Sequence, residues 1–177
     1  MSETLTVRYT DGYDAEDVSD AKWSNVSRAF DGNTSLFASC SIPKNKAGSS
    51  IFADELPTIS DLGTITKVEM RIFHYVSNTS VRSVSRPHFG GSTPGTQHTK
   101  TFSSSDTDND DYIDITSIEN APSTWTWNDV RNLVLEVWGN NTSDSTRVYY
   151  ISLLGLRITY EESETDTKRN ILLSYNF

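Results

Sequence analysis

Asp106, Asp108, Asp110 and Asp111 stand at the first, third, fifth and sixth places of a calcium-loop spacing. Such a loop needs glycine at its sixth place and a bidentate glutamate at its twelfth. Asp111 and Ser117 stand there instead, which excludes an EF-hand and leaves a solvated acidic loop or a looser cation site. Base chemistry has little support. His74 continues the apolar side of its segment and reads as a packed core or rim group, while His88 and His98 lie in a stretch broken by Gly and Pro. Neither a Gly-x-Ser-x-Gly nucleophile elbow nor a Gly-rich phosphate loop with its Lys occurs. The chain's 24 carboxylates would always supply two acids for glycoside hydrolysis, so picking a pair carries no information. Cys40 is the single cysteine, excluding an intrachain disulfide and a thiolate zinc site. The sequence expectation is therefore a protein that is not an enzyme. What the residue types do suggest is contact. Phe73 and Tyr75 interrupt the polar side of their segment and Trp138 lies on the outward side of its own, so the three rings are expected at one edge. Rings placed so stack on sugar faces or anchor protein interfaces, unless loops or a second layer bury them. Trp125 and Trp127 read as a packed corner, with ligand contact as the alternative.

The elements that must position these rings are short strands. From Ile65 to Val76, Val68, Met70, Ile72 and Val76 share one side while Lys67, Glu69 and Arg71 share the other, a period of two that specifies a strand. Leu5, Val7 and Tyr9 alternate in the same way before the Asp11-Gly12 turn. Ile113 and Ile115 repeat the pattern, as do Leu133, Leu135 and Val137. Gly139-Asn140-Asn141 is expected to turn the chain, and Gly155 to mark a bulge or bend within one long closing strand from Arg147 to Glu161. Between Ser77 and Asp111, Pro87, Gly90, Gly91, Pro94 and Gly95 break the chain into two short strands around a long loop. One helical turn or an irregular corner is expected over Ser123 to Val130. About eight strands with turns between them and almost no helix specify an all-β protein, an antiparallel β-sandwich of jelly-roll type over residues 1–162. Residues 163–177 form a polar linker and an apolar arm, carried by Ile171, Leu172, Leu173, Tyr175 and Phe177.

The 177 residues suffice for one core, and a net charge of −9 with pI ≈ 4.7 repels phosphate backbones and anionic lipid. Nucleic acid and membrane insertion are thus poor expectations. The start Met-Ser-Glu-Thr-Leu-Thr has neither the basic cluster nor the apolar stretch of a secretory signal.

Two stretches resemble known sandwich modules. Trp23 to Ser35, with its Asp31-Gly32-Asn33 turn, and Asp61-Leu62-Gly63 before the Val68 strand resemble discoidin, or coagulation-factor type C, and related carbohydrate-binding modules. Trp125-Thr-Trp127, the Leu133 to Trp138 strand and the Val148 to Tyr160 hairpin resemble jelly-roll domains of phage tail, fibre and capsid-decoration proteins. The first resemblance implies a structural calcium held by Asp31, Asn33, Ser35 and Glu161 or Glu162, or else a plain tight turn there with no cofactor. Together they imply a structural virion protein of a bacteriophage, made in the host cytoplasm. It would assemble with copies of itself and other virion proteins through the sandwich surface and the arm. The alternative is a carbohydrate-binding module for glycan or cell-surface recognition.

Overall fold

The computed structural model describes residues 1–18 and 20–162. The expected arm, Ile171, Leu172, Leu173, Tyr175 and Phe177, lies outside the described residues. Among the described residues, twelve strands form two antiparallel six-stranded sheets. The first contains β1 (Ser2–Arg8), β3 (Trp23–Ser24), β4 (Ala38–Ile42), β6 (Gly63–Val76), β10 (Asn109–Asp114) and β12 (Arg147–Glu162). The second contains β2 (Asp11–Asp14), β5 (Ile51–Glu55), β7 (Val81–Phe89), β8 (Thr93–Pro94), β9 (His98–Thr101) and β11 (Val134–Asn141). The all-β sandwich is as the alternation requires, with more strands than the eight expected. The extra ones are short or built of small residues, such as β4 with its sequence Ala-Ser-Cys-Ser-Ile.

Period-two burial lines the core from both sheets, with Val68, Met70 and Ile72 of β6 and Leu135 and Val137 of β11 in one apolar cluster. Each fully buried side chain of this size contributes about 1.5–3 kcal/mol. The closing strand β12 pairs with β6 along its length, while its other edge is shared by β4 and β1. Its register shifts between Ile151 and Leu153, so the bulge falls at Ser152 and not at Gly155. Gly155 answers to another constraint, because a Cβ there would lie 2.4 Å from the Val7 carbonyl oxygen of β1. Gly139, Asn140 and Asn141 likewise belong to β11 and do not form the tip. The chain turns after them, around the buried Asn141 amide, whose Nδ2 donates to the carbonyls of Ile42, Pro43 and Ser145.

The helical turn is α1 (Trp127–Arg131), started by a reciprocal cap in which Thr126 and Asp129 satisfy each other's backbone N–H. Trp125 precedes the cap and Trp127 opens the helix, and their indole N–H groups donate to the carbonyls of Thr116 and Gly63. No helix among the described residues is long and apolar enough to cross a membrane.

One polar chain crosses this core. Ser83 of β7 lies 2.6 Å from the Tyr149 hydroxyl, which lies 2.6 Å from His74 Nδ1, and His74 Nε2 lies 2.7 Å from Asp111. Lys100 of β9 donates to the other Asp111 oxygen. With Asp111 ionised, Nε2 must carry the ring proton, so Nδ1 accepts from Tyr149 and Tyr149 accepts from Ser83. Burial pushes the His74 pKa down against the opposing pull of Asp111, which keeps the ring neutral and suits this direction of donation. Burial also pushes the Tyr149 hydroxyl far up, keeping it protonated.

Candidate functional site

On the outer side of the second sheet, four side chains stand shoulder to shoulder across four strands. Tyr13 of β2 is opposite Phe52 of β5, Phe52 is opposite Glu136 of β11, and Glu136 is opposite Arg86 of β7. Three strand intervals make this row about 14 Å long. Alternation puts it outside, since Ile51, Ala53, Leu135, Val137, Ser85 and Pro87 on either side of its members are buried toward the core.

Each member is fixed. The Tyr13 and Phe52 rings stack with centroids 5.3 Å apart and planes 15° apart, and Phe52 in turn meets the His88 ring at 5.6 Å. Glu136 is only 6% exposed. Its Oε1 accepts from Ser50 Oγ at 2.8 Å, and its Oε2 from Arg86 Nε at 2.9 Å and His88 Nε2 at 2.8 Å. Burial opposes ionisation of this carboxyl, but the hydrogen bonds from His88, Arg86 and Ser50 outweigh it and hold the pKa below the ordinary value. Arg86 is gripped from its other side by Trp138, whose ring centroid lies 5.7 Å from the guanidinium carbon, a cation–π contact. Tyr13 stays 52% exposed. The row thus offers a flat hydrocarbon surface at one end and an immobilised ion pair at the other, with exposed Asp11, Asp54 and Glu55 on the strands that carry the rings.

The rings expected at a single edge occupy opposite outer faces. Trp138 joins the row on the second sheet, while Phe73 and Tyr75 lie on β6 in the first. There Tyr75 stacks on Tyr150 with centroids 4.2 Å apart and 9° between planes, and Phe37 meets it edge-on at 4.7 Å. These rings cover one another, and the first sheet's outer side continues as charge pairs: Arg71 to Asp110, and Arg157 and Lys67 to Glu69.

The residues proposed for calcium do not fit that ion as a set. Asp31 and Asn33 each spend a side-chain oxygen on a backbone N–H two residues ahead, the tight-turn arrangement. Glu161 pairs with Ser2, whereas the turn lies beside Arg8, whose Nη1 donates to the Phe30 carbonyl. Strand rise separates those two positions on β1 by about 20 Å, so Glu161 and Ser35 share no site. Among the described residues no group of three or more His, Cys, Asp or Glu is placed to hold a metal. The acids of the 106–111 stretch also part company, with Asp110 bound to Arg71 on the outside and Asp111 turned toward His74 and Lys100.

Sequence reasoning missed Tyr13, Phe52, Arg86 and Glu136. The one available signal was Glu136 itself, an acid set between Leu135 and Val137 in an apolar strand, where a buried carboxylate requires donors nearby.

No protein-family model matches the chain, and no curated protein matches it at a significant level. Among solved structures it is similar to the carbohydrate-binding module TmCBM61, determined in complex with β-1,4-galactotriose. The identity is 7%, the match covers 91% of this chain and 88% of that one, and the TM-score is 0.40.

Proposed function

We propose that this protein is a non-enzymatic binding module that holds a neutral oligosaccharide across the outer side of its second sheet. The observation that carries this reading is the row of Tyr13, Phe52, Glu136 and Arg86. A pyranose presents a C–H face and a hydroxyl edge. An exposed tyrosine braced by a second ring suits the face, and the half-buried Arg86 guanidinium, locked in place by the buried Glu136 carboxylate, suits the edge without ordering cost. Rigid side chains on strands position such a site more accurately than loops do. The surrounding acids and the net charge of −9 disfavour uronic and sialic acids by repulsion, which selects neutral chains.

The virion role rests on a resemblance and on residues outside those described, whereas the glycan reading rests on a surface whose geometry is fixed, and for that reason it takes precedence. A glycan microarray probed with the purified protein tests it. Retention of neutral oligosaccharides, lost with Tyr13→Ala and kept with Phe73→Ala, is the expected result. Equal retention by both variants would place recognition elsewhere, and silence across neutral glycans would refute the reading.

A further inference from the structure

A groove of about 420 Å³ opens at the Trp corner of the sandwich, within the size range of small-ligand sites. It is built from the start of β6, the segment after β10 and the segment leading to α1. None of the strands that carry the glycan row contributes to it. Ile65, Ile118 and Trp125 give it an apolar floor, and the exposed hydroxyls of Ser117, Ser123 and Thr124 stand around them. No lining residue carries a charge.

The walls are held apart by bonds of their own. Trp125 is only 7% exposed, its Nε1 donates to the Thr116 carbonyl at 2.9 Å, and its ring meets Phe89 edge-on at 5.8 Å. Thr116 is itself anchored, its N–H and hydroxyl donating to Asp114 at 2.9 and 2.6 Å. On the far wall the Ala121 N–H donates to the Ile118 carbonyl, and the Asn120 amide donates to the Pro94 carbonyl. A cavity so braced is formed before any ligand arrives, which lowers the ordering cost of binding.

We infer that this groove is a second binding site, taking a neutral polyol of monosaccharide size. Such a ligand alternates C–H and O–H groups, as the lining alternates hydrocarbon and hydroxyl. A carboxylate or phosphate would surrender hydration there without meeting an opposite charge. The inference is independent of the glycan row and stands even if that row binds nothing.

The test is an NMR titration of the full chain with 15N-labelled tryptophan, using D-glucose, D-galactose and D-mannose as neutral probes and D-glucuronate as the charged one. The Trp125 indole resonance is expected to shift saturably with at least one neutral sugar, at least tenfold more weakly with glucuronate, and not at all in Ser123→Phe, which fills the mouth. Thr124→Phe blocks the same space from its neighbour and gives the same loss. Unmoved Trp23, Trp127 and Trp138 resonances show that each variant is folded, and Tyr13→Ala leaves the Trp125 titration unchanged. The inference fails if no neutral sugar moves Trp125, if the filled grooves still respond, if glucuronate binds equally, or if Tyr13→Ala abolishes the response.

Discussion

Ser83 and Lys100 face each other in the β7–β9 ladder of the second sheet, and both reach across to the first. Ser83 meets Tyr149 and Lys100 meets Asp111, so with His74 between those partners the hydrogen bonds close a ring through both sheets. Apolar packing alone would let two sheets slide in many registers at similar energy. A ring of directional bonds admits one register, since any slip leaves a buried donor or acceptor unpaired.

The ring makes stability fall in acid. His74 is held neutral in the folded protein with its pKa pushed below 6.5, so between that depressed value and about 6.5 only the unfolded chain binds the proton. His74's contribution is therefore complete above about pH 6.5 and declines as pH falls, by up to ~1.4 kcal/mol per pH unit. Asp111 adds a second loss at lower pH. Burial opposes its ionisation, but His74 and Lys100 hold its carboxyl below its ordinary 3.8, so its contribution is full above that value and disappears as pH falls through the folded one. Urea unfolding from pH 8 to 4 should show the first stage, removed by His74→Gln, and the Asp111 stage should appear only when the series is carried below pH 3.8. A flat profile between pH 6.5 and 5 would show that the ring does not titrate as its bonding requires.

Tyr149→Phe should destabilise the protein by about 1–3 kcal/mol, because it leaves Ser83 and His74 Nδ1 buried without a partner at no change in ring volume. Ser83→Ala should cost less, and the double variant less than the sum of the two. Denaturant titration of the cycle checks this, and strict additivity would mean the bonds are not coupled.

Gly155→Ala is expected to cost about 1–3 kcal/mol through overpacking, because the new Cβ meets the Val7 carbonyl, a backbone atom that cannot turn aside. Ser152→Ala, at the actual bulge, should be nearly neutral or stabilising, since its hydroxyl is buried without a protein partner. Thermal unfolding of the two variants checks the order.

The sandwich was legible wherever one side of a strand is buried and the other is not, as in β6, where Val68, Met70 and Ile72 alternate with charged neighbours. It was faint in β4, where Ala38, Cys40 and Ile42 do alternate with Ser39 and Ser41 but the strand is five residues long and most of its side chains are small. Alternation also says which side of a strand a ring occupies without saying which sheet the strand joins. For that reason Trp138 could not be separated from Phe73 and Tyr75 until the pairing was known. The row was hidden for a related reason. Tyr13, Phe52, Arg86 and Glu136 lie on four strands far apart in the chain, and only strand register brings them side by side. The Asp31-Gly32-Asn33 turn shows the reverse case, a local motif that is fully formed but distant from Glu161, the partner its resemblance supplied.

Glycan held on the outer side of the second sheet must register in the amide chemical shifts recorded while a mixture of neutral oligosaccharides is added. Binding across the row predicts shifts concentrated at Tyr13, Phe52, Arg86, Glu136 and Trp138, abolished by Tyr13→Ala, with Phe73, Tyr75 and Tyr150 unmoved. Shifts gathered instead on the first sheet, or none at saturating sugar, would contradict it.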